Sequence, residues 1–368
     1  MDLPTRSVEI ILRNQSTSGA YIASPAFPSY AYCWLRDGSF IAHAMDLVGE
    51  YESSRTFHTW AGNVIERYQW KIEQLIGKRR NGEPLAETDF LHTRYTLDGM
   101  EASTDWWNFQ LDGYGTWLWA LAEHARLSGK RGILDKLAPS ISTVTRYLLE
   151  VWRLPNYDCW EEYPEYRHSY TLASIFGGLQ AMAQAQNTGS EITEQLAEIR
   201  HFVLEHGVTD GRLTKSIPAA ENPNRLDCVD ANLLGVAIPY SLLEPDGPVM
   251  EKTIVEIERS LHLSGGGVYR YANDTYYGGG EWILLTAWLG WYYAKLGKKS
   301  EAHQLLEWIE EQCDARGNLP EQVSGSLLAP DRFWEWERRW GPVASPLLWS
   351  HAMYLILYQA LNGSLAGG

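Results

Sequence analysis

Three glutamates stand out by their neighbours. Glu161 and Glu162 follow Trp160 in the segment CWEEYPEY, and Glu321 lies far downstream in LPEQVSGS. Hydrolysing a glycosidic bond needs a protonated carboxylic acid at the leaving oxygen and an ionised carboxylate behind a water. In the inverting reaction the two groups stand roughly 6.5–9.5 Å apart. Two loops far apart in sequence can face each other across a pocket at such a spacing. The competing reading is ordinary surface glutamate, since the chain carries 46 acidic residues. Burying an unpaired carboxylate is costly, however, so a glutamate in so aromatic a segment needs a reason to be there. Arg36 and Asp37 adjoin in WLRDG. They can clamp sugar hydroxyls, Arg donating and Asp accepting, or Asp37 can simply cap a helix. Arg270 in VYRYANDTYYGGGEW carries the same pair of readings. Gly278, Gly279 and Gly280 read as turn residues that let the backbone approach a ligand. No GxxxxGK[ST] or GxGxxG context supports a phosphate loop, so nucleotide is not expected.

Composition narrows the partners. The chain has 17 Trp and 21 Tyr against 8 Phe. Trp and Tyr are flat rings with a polar handle, and sugar rings stack on such faces; part of this content must also serve a helical core. A net charge of -15 repels phosphate backbones and anionic lipid, which excludes nucleic acid and membrane surfaces as partners. The four Cys lie far apart without a CxxC pair, and the ten His are scattered without HExxH. No metal and no cofactor is therefore expected. His168 reads as a structural hydrogen-bond partner, and no GxSxG elbow occurs. The N-terminal MDLPTRSVEI has no signal-peptide pattern, and the apolar run around 283–296 is broken by Thr, Gly and Lys. A cytoplasmic protein is expected. Nothing in the sequence fixes its oligomeric state.

Helical periodicity recurs along the chain, and two kinds of helix alternate. Polar-faced helices are expected near 5–14, 53–77, 132–152, 190–206, 248–261 and 299–313. Helices apolar nearly all round, hence buried, are expected near 38–49, 113–128, 171–186, 229–242, 281–296 and 346–361. Six outer and six inner helices close naturally into an all-α (α/α)6 barrel; an open solenoid would carry a repeat consensus, and none is present. No linker divides the chain, so residues 1–368 read as one domain. A loop rich in Trp, Tyr, Gly and charge precedes each inner helix: 29–38, 103–115, 158–170, 224–232, 268–282 and 319–326. All would share the barrel end onto which the positive ends of the inner-helix dipoles point.

At these loops the chain resembles glycoside hydrolase family 15, the glucoamylase family, from about Tyr30 to His351. The carrying motifs are YAYCWLRDG, CWEEY, RYANDTYYGGGEW with WILLTAW, NLPEQ and LLWSHA. The family's fold is an (α/α)6 barrel. The resemblance implies that Glu161 is the general acid, Glu321 the general base and Glu162 a substrate-binding carboxylate. It implies that Arg36 and Asp37 hold the non-reducing glucose, making the activity exo-acting. Tyr30 would lie beneath the anomeric centre, and Arg270 would grip the substrate near the cleavage point. Tyr276, Trp282, Trp107, Trp106 and Gln110 would be pocket members. Glu161 would stay protonated near neutral pH, raised by Glu162 and partial burial, with Glu321 ionised. The product would be β-glucose. About 30 residues precede WLRD, so neither the β-sandwich of many prokaryotic relatives nor a starch-binding domain is expected, which favours short soluble oligosaccharides. Size and layout resemble the bacterial isomaltose glucohydrolases of the family, which cleave α-1,6 bonds. An α-1,4 glucoamylase or maltooligosaccharide glucosidase and a trehalase remain alternatives. An inverting phosphorylase or a non-catalytic sugar-binding barrel fits less well, because both Glu161 and Glu321 are present.

Overall fold

Helices that are apolar on every side must be buried, and here they form a closed inner ring. The computed structural model describes residues 2–103, 106–186, 190–218 and 228–363. The chain begins with α1 (Leu3–Arg13), α2 (Leu35–Leu47), α3 (Tyr51–Arg67), α4 (Gln69–Arg80) and α5 (Asp112–Leu127). It continues through α6 (Gly132–Lys136), α7 (Ala138–Val151), α8 (Ser169–Gln186), α9 (Ser190–His206) and α10 (Leu234–Ala237). The last five are α11 (Pro248–Leu261), α12 (Ile283–Lys295), α13 (Lys299–Glu311), α14 (Phe333–Trp340) and α15 (Leu348–Asn362). Helix α2 packs on α5, α5 on α8, α8 on α10, α10 on α12, α12 on α15, and α15 back on α2. Outside lie α1 against α15, α3 and α7 against α5, α9 against α8, and α13 against α12 and α15. The architecture is an all-α (α/α)6 barrel.

The ring centre is filled by aromatic rings. Phe40 meets Trp288 at 5.2 Å and Trp349 at 5.6 Å between ring centroids. Part of the tryptophan excess is thus core, as helical packing requires. Between α5 and α8 the contact is backbone on backbone. A Cβ on Gly178 would stand 2.1 Å from the Gly115 carbonyl oxygen, and one on Gly115 would stand 2.5 Å from that of Ser174.

Short antiparallel ladders tie the loops in front of the inner helices to their neighbours. Cys33–Trp34 pairs with Arg94–Tyr95, Tyr166–His168 with Ser216–Pro218, and Glu281–Trp282 with Gln322–Val323. The last ladder sets Glu321 beside Trp282.

Four expectations need correction. The helix expected over 229–242 is only a 3-10 turn, Ala231–Leu233, followed by the single turn of α10. Pro239 is the cause. It has no N–H to continue the ladder and forces Ile238 out of the helical region, to φ -130° and ψ 112°. The helix expected over 53–77 is broken at Tyr68 (φ -106°, ψ 13°), whose hydroxyl accepts the Glu101 N–H at 2.9 Å. The one expected over 132–152 is split at Leu137, ahead of Pro139. Helix α14 is an addition that the periodicity does not predict. Thr104 and Asp105 of loop 103–115, and residues 224–227 of loop 224–232, lie outside the described residues. No helix among the described residues is long and apolar enough to cross a membrane.

The Gly115–Gly178 contact leaves no room for a methyl group. Gly178→Ala must therefore separate α5 from α8 or bend both, at a cost of about 2 kcal/mol or more. Thermal unfolding of the variant is expected to show a midpoint several degrees lower; an unchanged midpoint would contradict this packing.

Candidate active site

The loops before the inner helices converge on one cavity of about 250 Å³, within the reach of a small-ligand site. Loop 29–38 contributes Tyr30, Trp34, Arg36 and Asp37, and loop 103–115 contributes Trp106 and Trp107. Loop 158–170 contributes Trp160, Glu161 and Glu162. Loop 268–282 contributes Arg270, Tyr276 and Trp282, and loop 319–326 contributes Glu321. Eleven of the twelve residues expected to be catalytic or pocket members line this single space; Gln110 does not, and instead accepts a hydrogen bond from Arg36 at 3.1 Å. Trp107 forms the outer edge and is 42% exposed.

Glu161 is presented by a strained turn. Its φ is +67° and that of Tyr163 is +54°, both in the region that side-chain-bearing residues avoid. Asp158 holds the turn. Its Oδ1 accepts the N–H groups of Trp160 and Glu162, each at 2.9 Å, while its backbone N–H donates to the Glu162 carbonyl at 3.0 Å. The Glu161 carboxyl accepts the indole N–H of Trp34 at 2.6 Å. Burial raises its pKa, against the opposing fields of Arg36 and Arg94. Burial is thus the cause, as expected, and the charge of Glu162 is not. The Glu162 carboxylate is turned elsewhere; it accepts the Tyr271 hydroxyl at 2.7 Å and faces Arg270 at 3.6 Å and Lys215 at 3.7 Å.

Lys215 underlies this loop and gave no signal in the sequence. It is fully buried, 3.0 Å from Asp158 and 2.9 Å from Asp230. Asp230 in turn accepts the Trp160 indole N–H at 2.8 Å. One cation thus neutralises the supports of both Trp160 and the Glu161 turn. The Lys215 field, set against burial, holds Asp158 below the usual carboxylate range.

Across the cavity, Glu321 Oε1 accepts the Tyr30 hydroxyl at 3.0 Å, and the Tyr30 and Tyr276 hydroxyls lie 2.9 Å apart. Burial pushes Glu321 up to about 8, opposed by the Tyr30 hydrogen bond and the Arg270 charge. The expectation that Glu321 is simply ionised near neutral pH thus meets a contrary force. Neither Glu161 nor Glu321 forms an ion pair among the described residues. Glu321 Oε2 and the Trp282 indole nitrogen are buried without a hydrogen bond among the described residues, leaving an acceptor and a donor for a water or a hydroxyl.

Asp37 is not a helix cap. It is the third residue of α2, and the N-cap, Trp34, makes no side-chain cap. Its carboxylate pairs with Arg36 at 3.2 Å, and burial lifts it to about 6. Arg36 also donates to Gln110 at 3.1 Å and Asp112 at 3.3 Å. Arg270 donates through Nε to Asp274 at 2.6 Å and lies 5.0 Å above the Trp282 ring. Gly278–Gly280 lie away from the cavity. A Cβ at Gly279 would come within 2.4 Å of the Asp274 carbonyl oxygen, so the close approach is to protein rather than ligand. His168 sits behind the site, its Nε2 2.9 Å from the Asn156 carbonyl oxygen.

Sequence reading missed one wall. Trp336 and Trp340 of α14 face the cavity, Trp336 5.0 Å from Tyr276 and Trp340 6.2 Å from Trp106. The segment FWEWERRW carries the signal, since these two tryptophans, one helical turn apart, share a face with few other apolar partners.

Replacing Lys215 by Met would leave Asp158 and Asp230 buried without their cation, a loss of about 3–5 kcal/mol, while Glu162 keeps Arg270. In the wild type, depressed Asp158 contributes stability that is lost as pH falls through its folded pKa. In the variant, burial raises Asp158 and lifts Asp230 further than it already stands in the wild type, so folding takes up protons and stability gains from acid. The stability gap between the two is therefore expected to narrow from pH 7 to pH 5 in urea titrations; a constant gap would contradict this role of Lys215.

With this geometry in place, comparison with known proteins is specific. Residues 4–327 match the model of the glycosyl hydrolases family 15. The chain is 42% identical over 367 residues to an isomaltose glucohydrolase of Kribbella flavida, covering 98% of this chain and 93% of that protein. A solved glycosidase variant in complex with glucose superposes with a TM-score of 0.92 at 41% identity, covering 98% of this chain and 96% of the other. A bacterial glucoamylase complexed with acarbose shares the fold, with a TM-score of 0.74 at 19% identity over 98% of this chain and 55% of its own. Matching along most of its length, with its acidic and aromatic loops gathered on one barrel mouth, the chain belongs to glycosyl hydrolase family 15 and is a glycoside hydrolase.

Proposed function

We propose that this enzyme is an inverting, exo-acting α-glucosidase that releases β-glucose from the non-reducing ends of short α-gluco-oligosaccharides, with a preference for α-1,6 bonds. The observation that carries the reading is the pairing of Glu161 and Glu321 in one aromatic cup. Glu321 is buried and Glu161 largely so, each is held by a neutral donor, and neither has an ion-pair partner among the described residues. Those donors belong to Trp34 and Tyr30, whose ring centroids lie 5.7 Å apart. Glu161 protonates the leaving glycosidic oxygen. Glu321 takes a proton from a water that attacks the anomeric carbon from the other face, which inverts it. Arg36 and Asp37 hold the hydroxyls of the terminal glucose, and Tyr30 lies under the reacting carbon. Glu162 and Arg270, fixed on each other and on Tyr271 and Asp274, grip the sugar near the cleavage point. Tyr276, Trp282 and Trp107 supply ring faces for the sugar. Trp336 and Trp340 narrow the space beyond the scissile bond and favour a short substrate.

The α-1,6 preference rests on similarity to the Kribbella isomaltose glucohydrolase along nearly the whole of both chains. An α-1,4 glucosidase and a trehalase are the alternatives. Initial rates on isomaltose, maltose and trehalose separate them. Isomaltose is expected to give the highest kcat/KM, and a higher value for either other disaccharide would overturn the linkage assignment. Glu161→Gln and Glu321→Ala are each expected to lower kcat about 10²–10⁴-fold with an unchanged circular dichroism spectrum. Near-normal turnover in either variant would remove that residue from its role.

The pH profile follows from burial. The working form has Glu321 ionised and Glu161 protonated, and burial raises both carboxyls. The acid limb of kcat/KM reports loss of the ionised base, and the pair titrates with two apparent values. Tyr30 donates to the charged form of Glu321 and so lowers its pKa. Tyr30→Phe is therefore expected to shift the acid limb to higher pH as well as slow the enzyme. An acid limb that stays in place would show that Glu321 does not control it.

A further inference from the structure

The inner helices α2 and α5 begin at the cavity, with Arg36 and Asp37 on one and Asp112 on the other. Their last turns lie about 15 Å away at the opposite end of the barrel, and there a second polar cluster is buried. Asp46 of α2, His124 of α5 and His58 of the outer helix α3 each offer one ligand atom, and these atoms all lie within 4.8 Å of one another. None of the three side chains is more than 1% exposed. His124 Nδ1 stands 2.8 Å from Asp46 Oδ1, and the Ser54 hydroxyl donates to Asp46 Oδ2 at 2.9 Å. His58 is the anomaly. Both of its ring nitrogens are buried and neither has a hydrogen bond among the described residues, and the second nitrogen of His124, Nε2, is likewise without one. The His58 ring centroid lies 5.3 Å from that of His124.

An imidazole with both nitrogens buried and unpaired loses its hydration at both and regains nothing. A phenylalanine would fill the same space at less cost. The arrangement becomes favourable when a Lewis acid takes the lone pair of the neutral ring. Burial favours the neutral form of His58, which is the form that binds metal. Two imidazoles and one carboxylate are a donor set suited to zinc and its neighbours rather than to calcium or magnesium.

We propose that Asp46, His58 and His124 bind one divalent transition-metal ion of the zinc class, in a structural role at the end of the barrel remote from the cavity. The Ser54 hydroxyl orients Asp46 from behind, as a carboxylate ligand requires. A surface depression lined by Arg55, Thr59, Lys130 and Lys136 touches the cluster at His124, the side from which an ion and a fourth ligand would enter. Its basic rim favours an anionic fourth ligand, hydroxide or chloride, over neutral water. The site joins α2, α3 and α5, so the ion would pin an outer helix to the inner ring without touching the sugar site. Neither the cysteine spacing nor the histidine spacing in the sequence signals it, because its three residues come together only through the barrel.

The test uses the full chain, stripped with EDTA, equilibrated with micromolar zinc, passed through a desalting column and analysed for metal by mass spectrometry. About one zinc ion per chain is expected, with the thermal midpoint several degrees above that of the stripped protein. Exposed His201 and His206 flank Glu205 and could hold zinc on the surface, so His201→Gln/His206→Gln is the control and is expected to retain the ion. His58→Phe and Asp46→Asn are each expected to lose it. Cobalt loaded on the unmodified chain gives a reading that needs no variant, since a buried site with nitrogen and oxygen ligands shows intense visible bands that zinc displaces. Zinc below about a tenth of an equivalent, equal uptake by His58→Phe, or cobalt showing only the weak bands of the hydrated ion would each overturn the proposal.

Discussion

Keeping charge out of water beneath aromatic rings is the constraint on which the barrel mouth depends. A buried carboxylate must be paired, hydrogen-bonded or protonated. The carboxyls here divide along that line. Asp158 and Asp230 share Lys215, Asp112 lies on Arg36, and Asp274 binds Arg270. These four are ion-paired and serve as struts. Glu161 and Glu321 have neutral donors instead, the Trp34 indole and the Tyr30 hydroxyl. Their protonation is left open, as a group that gives or takes a proton requires. The division between scaffold and chemistry is thus written in how each carboxyl is balanced.

The barrel supplies the rigidity that this arrangement needs. Glu161, Tyr163 and Tyr277 hold left-handed backbone, which costs energy at each position. The Glu161 turn persists because Asp158 closes it and Lys215 anchors Asp158, while the Tyr277 hydroxyl donates to the Gly341 carbonyl at 2.7 Å. Beneath them the inner helices are locked by the Gly115–Gly178 approach and by the Phe40, Trp288 and Trp349 rings. Loops of such chemistry on a softer frame would relax, and the two carboxyls would lose their mutual placement.

Much of this is legible in the sequence because it depends on local pattern. The alternation of all-apolar and striped helices marks the inner and outer rings, and loops with unusual residues before each inner helix mark the cavity face. What the sequence conceals depends on contacts between distant segments. Lys215 looks like any solvent-facing lysine until three acidic residues from other loops close on it. Trp336 and Trp340 share a helix face that the sequence does show, but not that this face turns to the cavity. The short α10 escapes a reading that weighs apolar content above Pro239, which sits inside the expected helix. That Glu162 does not cause the Glu161 shift escapes a reading that takes adjacency in sequence, Glu161 beside Glu162, for adjacency of charge. The strained turn sends the two carboxyls to different partners.

Two carboxyls on facing loops should invert the anomeric carbon through a single water, and that is the central claim. The most direct measurement is proton NMR of a fresh isomaltose digest, following the anomeric signals before mutarotation mixes them. β-Glucose is predicted to appear first and the α-anomer only later. Early α-glucose would mean a retained configuration and a covalent intermediate, and would contradict the roles of Glu161 as general acid and Glu321 as general base.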